Sequence, residues 1–159
     1  MNKQEFWNLM DTFAEQPEEK QIMWLVDNLS EKPVTDIVDF RDIYYKLVDN
    51  LFFEAPLNRV LAETLPKGAL EKYREFCIWL ISKGSQTFNR LQNYPYQLGD
   101  LLKELKVEEP YKNEFATVCT SWAYLNKRDA YLNKGVDVYN EKHIFKKYVR
   151  LPDKLECNV

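Results

Sequence analysis

Apolar residues recur at steps of three and four along most of the chain, which is the spacing of one face of an α-helix. The clearest run is Ile37, Phe40, Tyr44, Leu47 and Leu51. Prolines interrupt the pattern at positions where proline starts a helix, as at Pro17 and Pro33. The pattern predicts an all-α fold in which several helices form a single compact domain.

Capping residues predict where some of these helices begin and end. Asn2 and Ser85 are N-cap residue types that precede apolar helical runs, and Gly84 stands where a left-handed helix C-cap is expected. Shorter helices are expected over residues 57–64 and 97–106. A long helix is expected to end before Ala55 and Pro56, because the residue that precedes a proline disfavours helical geometry.

A last long helix is expected over residues 111–133. Its apolar positions are Phe115, Val118, Cys119, Trp122 and Leu125. No repeat or Gly/Ser-rich linker divides the chain, so residues 1–135 are predicted to form one helical domain. Residues 136–159 form a C-terminal tail of uncertain structure that is expected to dock on this domain. In the tail, VDVY alternates like a strand and NEKHIFKKYV has the pattern of a capped helix, and both structures stay open.

Residues 73–82, YREFCIWLIS, place five consecutive apolar residues inside a helical pattern. A helix that is apolar over so wide an arc is expected to lie between other helices. We therefore interpret Trp79 as a core residue rather than as a platform on which a ligand stacks. Tyr94-Pro95-Tyr96 is predicted to be a turn that is mainly architectural, since proline fixes the backbone there.

The order of these landmarks resembles a known family. The landmarks are Phe6-Trp7, Tyr73, Phe76, Trp79-Leu80-Ile81, Gly84, Phe88, Tyr94-Pro95 and Leu98. Over residues 3–133 the chain is similar to DUF4240, an uncharacterised bacterial helical family. The resemblance implies a helical fold with Trp7, Trp79, Gly84 and Pro95 as structural motif residues.

The same resemblance supplies no reaction. Members of the family often carry paired aspartates before the central helix, an arginine within it and a glutamine before its glycine. This chain has Leu70-Glu71, Cys77 and Lys83 at those positions. The resemblance therefore implies that a polar site built from those groups is not intact in this chain.

Composition and charge narrow the picture further. The chain has 159 residues with 45% hydrophobic and 30% charged side chains, which is typical of one globular domain. Its three cysteines form no CxxC pair, so we expect reduced thiols. The sequence has neither a secretory signal pattern nor eighteen consecutive apolar residues, so a cytoplasmic protein with no membrane partner is expected.

Charge is distributed unevenly along the chain. Residues 1–42 carry four basic and ten acidic side chains, whereas residues 126–150 carry seven basic and three acidic ones. An acidic surface attracts a basic partner at long range. We therefore predict a partner-binding surface for a basic protein, formed by Glu18, Glu19, Asp36, Asp39 and Asp42, although a merely solvated helix face would have the same composition.

Residues with catalytic potential are few. The single histidine, His143, has no orienting partner nearby in sequence, and Cys119 lies on an apolar stripe. Asp36, Asp39 and Asp42 stand at three-residue steps and could bind a cation, which would suit a metal-carboxylate hydrolase. The tail sequence HIFKKYVR mixes cations with aromatic residues, as single-strand nucleic-acid binding requires. We expect no cofactor and no metal, and regard nucleic acid as the less favoured partner.

The composition as a whole favours protein binding. Tyrosine and tryptophan anchor protein interfaces, and the acidic charge would steer a basic partner towards them. We predict a non-enzymatic protein-interaction module, one specific form of which is an immunity-type inhibitor of a basic toxin. The hydrolase and the nucleic-acid protein remain the alternatives, and the oligomeric state is left open.

Overall fold

The chain folds into α-helices in the part that a computed structural model describes, residues 1–53, 55–64, 70–105 and 119–127. The elements in order are α1 (Lys3–Ala14), α2 (Glu18–Glu31), α3 (Val34–Phe53), α4 (Ala55–Thr64), α5 (Leu70–Ser82), α6 (Gly84–Asn93), a 3-10 helix (Pro95–Gln97) and α7 (Leu98–Glu104). Residues 119–127 are also helical and are called the 119–127 helix below. The described residues contain no strand, and the all-α prediction is confirmed for them.

The start of α1 is fixed by its own sequence. Asn2 Oδ1 accepts the backbone N–H of Glu5 at 3.0 Å, and the Glu5 carboxylate accepts the backbone N–H of Asn2 at 2.7 Å. This reciprocal arrangement is a capping box, which satisfies two donors that a helix start otherwise leaves open. The prediction that Asn2 caps the first helix is confirmed.

The core lies between α1, α3, α5 and α6. Aromatic rings connect three of these helices, because Phe6 contacts Phe40 at 5.0 Å and Trp7 at 5.2 Å, and Trp7 contacts Phe88 at 4.9 Å between ring centroids. On α5, every residue from Phe76 to Ile81 is buried, as expected for a helix surrounded by others. We call Phe6, Trp7, Phe40, Phe76, Trp79 and Phe88 the aromatic core.

A sharp junction joins α5 to α6. Gly84 has a φ of 86°, the left-handed conformation that the sequence predicted, and α6 starts at this same residue. The prediction that Ser85 caps α6 is wrong, because the cap is supplied by α1. Asp11 accepts the backbone N–H of Ser85 at 2.6 Å through one oxygen and the Ser85 hydroxyl at 2.7 Å through the other. Asp11 thus connects α1 to the N-terminal end of α6, where the helix dipole favours a negative charge.

Two other predictions differ from the observed elements. The helix expected from residue 57 begins at Ala55 instead, because Pro56 fits within the first turn of a helix, where its missing N–H is not needed. The apolar spacing predicts that Trp122 lies on the buried face of the last helix, but its side chain is 48% exposed, whereas Cys119, Ala123 and Tyr124 are buried. That prediction was wrong because Ala123 and Tyr124, rather than Trp122, complete the buried face.

The 119–127 helix packs beside α2. Cys119 Sγ lies 3.7 Å from the carbonyl oxygen of Ile22, and the side chains of Asn126 and Lys127 lie 3.5 Å from the hydroxyl and carbonyl oxygens of Ser30. The two helices therefore run in the same direction. The remainder of the predicted helix over residues 111–133, and the tail with His143 and Cys157, lie outside the described residues.

The described helices were compared with what a membrane-spanning helix requires in length and apolar character. Among them, none combines the length and the apolar character needed to cross a bilayer.

Candidate protein-interaction surface

The predicted acidic surface is partly occupied by the chain itself. The Met1 ammonium group donates to Asp36 Oδ1 at 2.5 Å and to Asp39 Oδ2 at 2.6 Å. Burial lowers the pKa of this amine, but the hydrogen bonds and charges of Asp36 and Asp39 outweigh that effect, so the pKa is raised above 8.0. These two carboxylates are brought together, but by an internal cation.

The other predicted acidic residues have different surroundings. Asp42 pairs with its neighbour Arg41 at 2.9 Å. Glu18 and Glu19 are exposed in the first turn of α2, where negative charge favours the helix dipole. Glu18 and Glu19 follow the C-terminal end of α1, whereas Asp36 and Asp39 bind Met1, which lies just before the N-terminal end of α1. The two ends of α1 are about 16 Å apart along the helix axis. The five carboxylates therefore do not form one continuous surface but lie in at least two separate regions of the molecule.

Two tyrosines form a different exposed feature. Tyr94 and Tyr96 flank Pro95 at the 3-10 helix and are 50% and 71% exposed. Their ring centroids are 6.1 Å apart in an edge-to-face arrangement. We call Tyr94 and Tyr96, with the supporting Arg90, Gln97 and Glu104, the aromatic corner. Large exposed aromatic side chains of this kind commonly mark interaction sites.

Arg90 holds the aromatic corner in shape. Its Nε donates to Gln97 at 2.8 Å, and its two terminal nitrogens donate to the Glu104 carboxylate at 2.6 and 3.0 Å. The hydrogen bond to Glu104 raises the pKa of Arg90, and the reciprocal bond lowers the pKa of Glu104. One guanidinium group therefore connects α6, the 3-10 helix and α7 with a bidentate fork.

Pro95 occupies the start of the 3-10 helix, where its fixed φ suits the first turn. The backbone between the two tyrosines is consequently restricted before any partner binds. The sequence predicted a turn here that is mainly architectural. The structure instead directs both side chains largely into solvent.

The cysteines are placed as structural thiols. Cys77 and Cys119 are both fully buried, and burial raises the pKa of each to about 12. A thiol with so high a pKa carries almost no thiolate at neutral pH. In the part of the chain that the structure describes, no group of three or more His, Cys, Asp or Glu side chains is arranged to hold a metal ion.

Two of the positions at which the family resemblance implies polar residues, Cys77 and Lys83, make packing contacts in this structure. Cys77 lies in the core of α5, and Lys83 places its ammonium group 5.4 Å from the ring centroid of Trp79, in cation–π range. Trp79 itself is buried and contacts Phe76 with ring centroids 5.5 Å apart. Trp7 is equally enclosed, between Phe6 and Phe88.

Sequence reasoning missed Asp11 and Arg90, each of which makes at least two polar contacts with residues of another helix. Asp11 and Ser85 are 74 positions apart, and Arg90 and Glu104 are 14 apart. Neither separation belongs to a helical repeat, so no local pattern pairs these residues. The only available signal was the combination of Gly84 with Ser85, which marked the junction but not the residue that caps it.

Comparison with protein families finds a match over most of the chain. A family model described as "Protein of unknown function (DUF4240)" matches residues 1–126, and the chain therefore belongs to this family. The resemblance drawn from the sequence over residues 3–133 is therefore confirmed for this family over residues 3–126. Neither the curated proteins nor the solved structures include a match to the chain.

Proposed function

We propose that this member of the DUF4240 family is a non-enzymatic binding module whose partner is another protein of basic character. The observation that carries the proposal is the aromatic corner. Tyr94 and Tyr96 expose large ring surfaces from a short turn that Pro95 restricts and Arg90 braces. Side chains held in place before binding lose little conformational entropy on association, which favours affinity.

Charge supports a basic partner rather than an acidic one. The chain has a formal net charge of −3, and Asp100 and Glu104 lie close to Arg90 at the aromatic corner. Tyrosine rings also attract cations through their faces. A lysine- or arginine-rich surface would meet both the rings and the carboxylates.

An immunity-type inhibitor of a basic toxin, acting in the cytoplasm, is the specific form of this proposal. Such an inhibitor needs a rigid acidic surface with aromatic anchors and needs no reaction of its own. The hydrolase alternative gains no support from Asp36 and Asp39, since the Met1 ammonium engages both. The basic tail of the nucleic-acid alternative lies outside the described residues.

The test is a capture experiment in which the immobilised protein and matched variants are each exposed to a cytoplasmic extract of the source cell. The immobilised protein is compared with Tyr94→Ser/Tyr96→Ser and with Trp122→Ser, which removes an equally exposed aromatic side chain from the 119–127 helix. The proposal expects one basic protein to bind the unmodified chain and Trp122→Ser, and to be lost with the tyrosine variant. A partner that binds the tyrosine variant undiminished would exclude the aromatic corner, and an acidic partner would contradict the charge argument.

The contribution of the acidic residues is measured by association kinetics with the purified partner. Glu18→Lys/Glu19→Lys is the cleaner charge reversal, because reversing Asp36 and Asp39 would also expel Met1. We expect the reversed variant to associate more slowly and with less dependence on salt, since exposed charges act over about 8 Å at physiological ionic strength. An unchanged rate across the salt series would remove Glu18 and Glu19 from the proposed surface.

A further inference from the structure

The aromatic corner continues into the first turn of α7. The 3-10 helix Pro95–Gln97 runs directly into α7, and the backbone of Leu98 at the junction has right-handed helical angles, with φ −55° and ψ −45°. Tyr96 and Asp100 are therefore four positions apart in one helical segment, a spacing that places two side chains on the same face. Both residues are exposed, so the Tyr96 ring and the Asp100 carboxylate present neighbouring surfaces to solvent.

Asp100 differs from the nearby carboxylate of Glu104 in its partners. Glu104 accepts hydrogen bonds from both terminal nitrogens of Arg90, at 2.6 and 3.0 Å. Asp100 acts on Arg90 only through its charge, which helps to raise the pKa of the guanidinium group. Among the residues that the structure describes, no hydrogen bond or ion pair engages the Asp100 side chain. The corner therefore carries one carboxylate that is neutralised by Arg90 and one that is open to an external cation.

The two tyrosine rings add an aromatic surface beside this open carboxylate. The ring planes of Tyr94 and Tyr96 are inclined by 73°, with their centroids 6.1 Å apart. A cation is attracted to the face of an aromatic ring within about 6 Å of its centroid. A guanidinium group suits a ring and a carboxylate together, because it is planar, stacks on aromatic faces and offers a carboxylate a fork of N–H donors. A lysine ammonium group is more strongly hydrated and lacks this planar fork.

Lys103 restricts how many cations this face can accept. It lies three positions beyond Asp100 in α7, on the same face, and is also exposed. A second cation of a partner in that direction would meet a like charge, which opposes binding. The face therefore fits one arginine side chain rather than a continuous basic stretch.

We propose that Tyr94, Tyr96 and Asp100 bind a single arginine side chain of the basic partner, whose guanidinium group stacks on a tyrosine ring and pairs with the Asp100 carboxylate. The assignment of this arginine to a protein partner rests on the proposed function, whereas the recognition of a guanidinium group does not. Arg90 acts as a positioning residue, because its bonds to Gln97 and Glu104 hold the turn in place before the arginine binds.

The recognition of the guanidinium group is tested with small probes and the full chain. Nα-acetyl-arginine amide is the probe, and Nα-acetyl-citrulline amide is its control, because citrulline keeps the size and planarity of arginine without the charge. In NMR titrations, the arginine probe is expected to shift the signals of residues 94–100 in a saturable way and to bind at least about threefold more tightly than the citrulline and lysine probes. Equal binding of arginine and citrulline, or of arginine and Nα-acetyl-lysine amide, would overturn the proposal.

Matched variants test which side chains form the site. Asp100→Asn and Tyr96→Leu are each expected to weaken binding of the arginine probe about two- to fivefold, as the loss of an exposed ion pair or cation–π contact does. Asp27→Asn removes an exposed carboxylate of α2, and Trp122→Leu removes an exposed aromatic ring of the 119–127 helix. Both controls should leave binding unchanged. If Asp100→Asn has no larger effect than Asp27→Asn, the carboxylate acts only through net charge and the proposal is wrong.

Two combinations of results separate the arginine site from the proposed function. Charge-dependent binding of the arginine probe at residues 94–100, without capture of a basic protein, would support the arginine site and reject the proposed function alone. Capture of a basic protein that requires Tyr94 and Tyr96, with no preference for arginine over citrulline, would reject the arginine site and leave the proposed function standing.

Discussion

The aromatic core and the aromatic corner use the same kinds of residue for opposite purposes. In the core, the rings of Phe6, Trp7 and Phe88 lie about 5 Å apart and are almost fully buried. In the corner, Tyr94 and Tyr96 also contact each other but remain half or more exposed. The difference teaches that, among the described residues, the buried rings of the aromatic core stabilise the fold, whereas the two tyrosines of the corner remain exposed to solvent.

The helix α6 connects the two regions. At its start, Asp11 and Gly84 fix it to the core, and at its end Arg90 braces the corner. The position of the corner therefore depends on the core, and we expect the exposed side chains of the corner to contribute little to the free energy of unfolding. The predictions below test this division, beginning with the largest expected effect.

Trp79→Ala should destabilise the protein by about 3–5 kcal/mol, because it leaves a cavity in the core of α5. The matched control is Trp122→Ala, where the same side chain is half-exposed and the expected loss is below about 1 kcal/mol. Denaturant unfolding of both variants measures the difference in the free energy of unfolding. Similar losses for the two tryptophans would contradict the assignment of Trp79 to the core.

Gly84→Ala should cost about 2–3 kcal/mol, since alanine disfavours the left-handed conformation and must also be accommodated at a close contact. A Cβ atom at this position would lie 2.7 Å from Asp11 Oδ1, which is held by Ser85. Gly99 is the control, because a Cβ there meets nothing within 4 Å. Gly99→Ala in helix α7 should stabilise the protein by about 0.5–1 kcal/mol. Thermal unfolding should therefore show a lower melting temperature for Gly84→Ala and a higher one for Gly99→Ala. A stabilising Gly84→Ala would contradict the junction.

Acid and alkali should affect different regions. The raised amine pKa of Met1 means that its contribution to stability is fully present below pH 8.0 and is lost as pH rises through the folded-state pKa. The lowered pKa of Glu104 means that its pairing with Arg90 is present above pH 4.5 and is lost as pH falls through the folded-state pKa. In NMR spectra, the signals of residues 1–5 should change as the pH rises above the first limit, and those of the Arg90 guanidinium group as the pH falls below the second. Loss of the Arg90–Glu104 contact together with the Met1 contacts at the alkaline limit would refute the separation.

Tyr96→Ser should have the smallest effect on stability, within about 0.5 kcal/mol, because the side chain is 71% exposed. Tyr73→Phe is the internal comparison, since it removes a buried hydroxyl that donates to the carbonyl oxygen of Leu51 at 3.2 Å and should cost about 1 kcal/mol or more. Denaturant titration of the two variants compares them. A loss for Tyr96→Ser that exceeds that for Tyr73→Phe would show that the corner stabilises the fold.

Much of the fold could be predicted from local pattern. The apolar spacing of α3, the N-cap at Asn2 and the left-handed Gly84 each depend on residues close together in sequence, and each prediction is confirmed. The prediction for Trp122 was wrong because the apolar spacing of a helix does not specify which of its side chains the neighbouring helix covers. Only the packing beside α2 determines that Ala123 is buried and Trp122 is not.

The sequence by itself determined the helical class, most helix starts and the membership of a family, because helix periodicity and capping are set by neighbours within about four residues. Only the tertiary structure decided that Asp11 caps α6, that Arg90 joins Glu104 and that Met1 occupies Asp36 and Asp39. These contacts join residues 14 to 74 positions apart. Their partners are chosen by how the helices pack, and helix packing depends on the shapes of whole faces rather than on any short stretch of sequence.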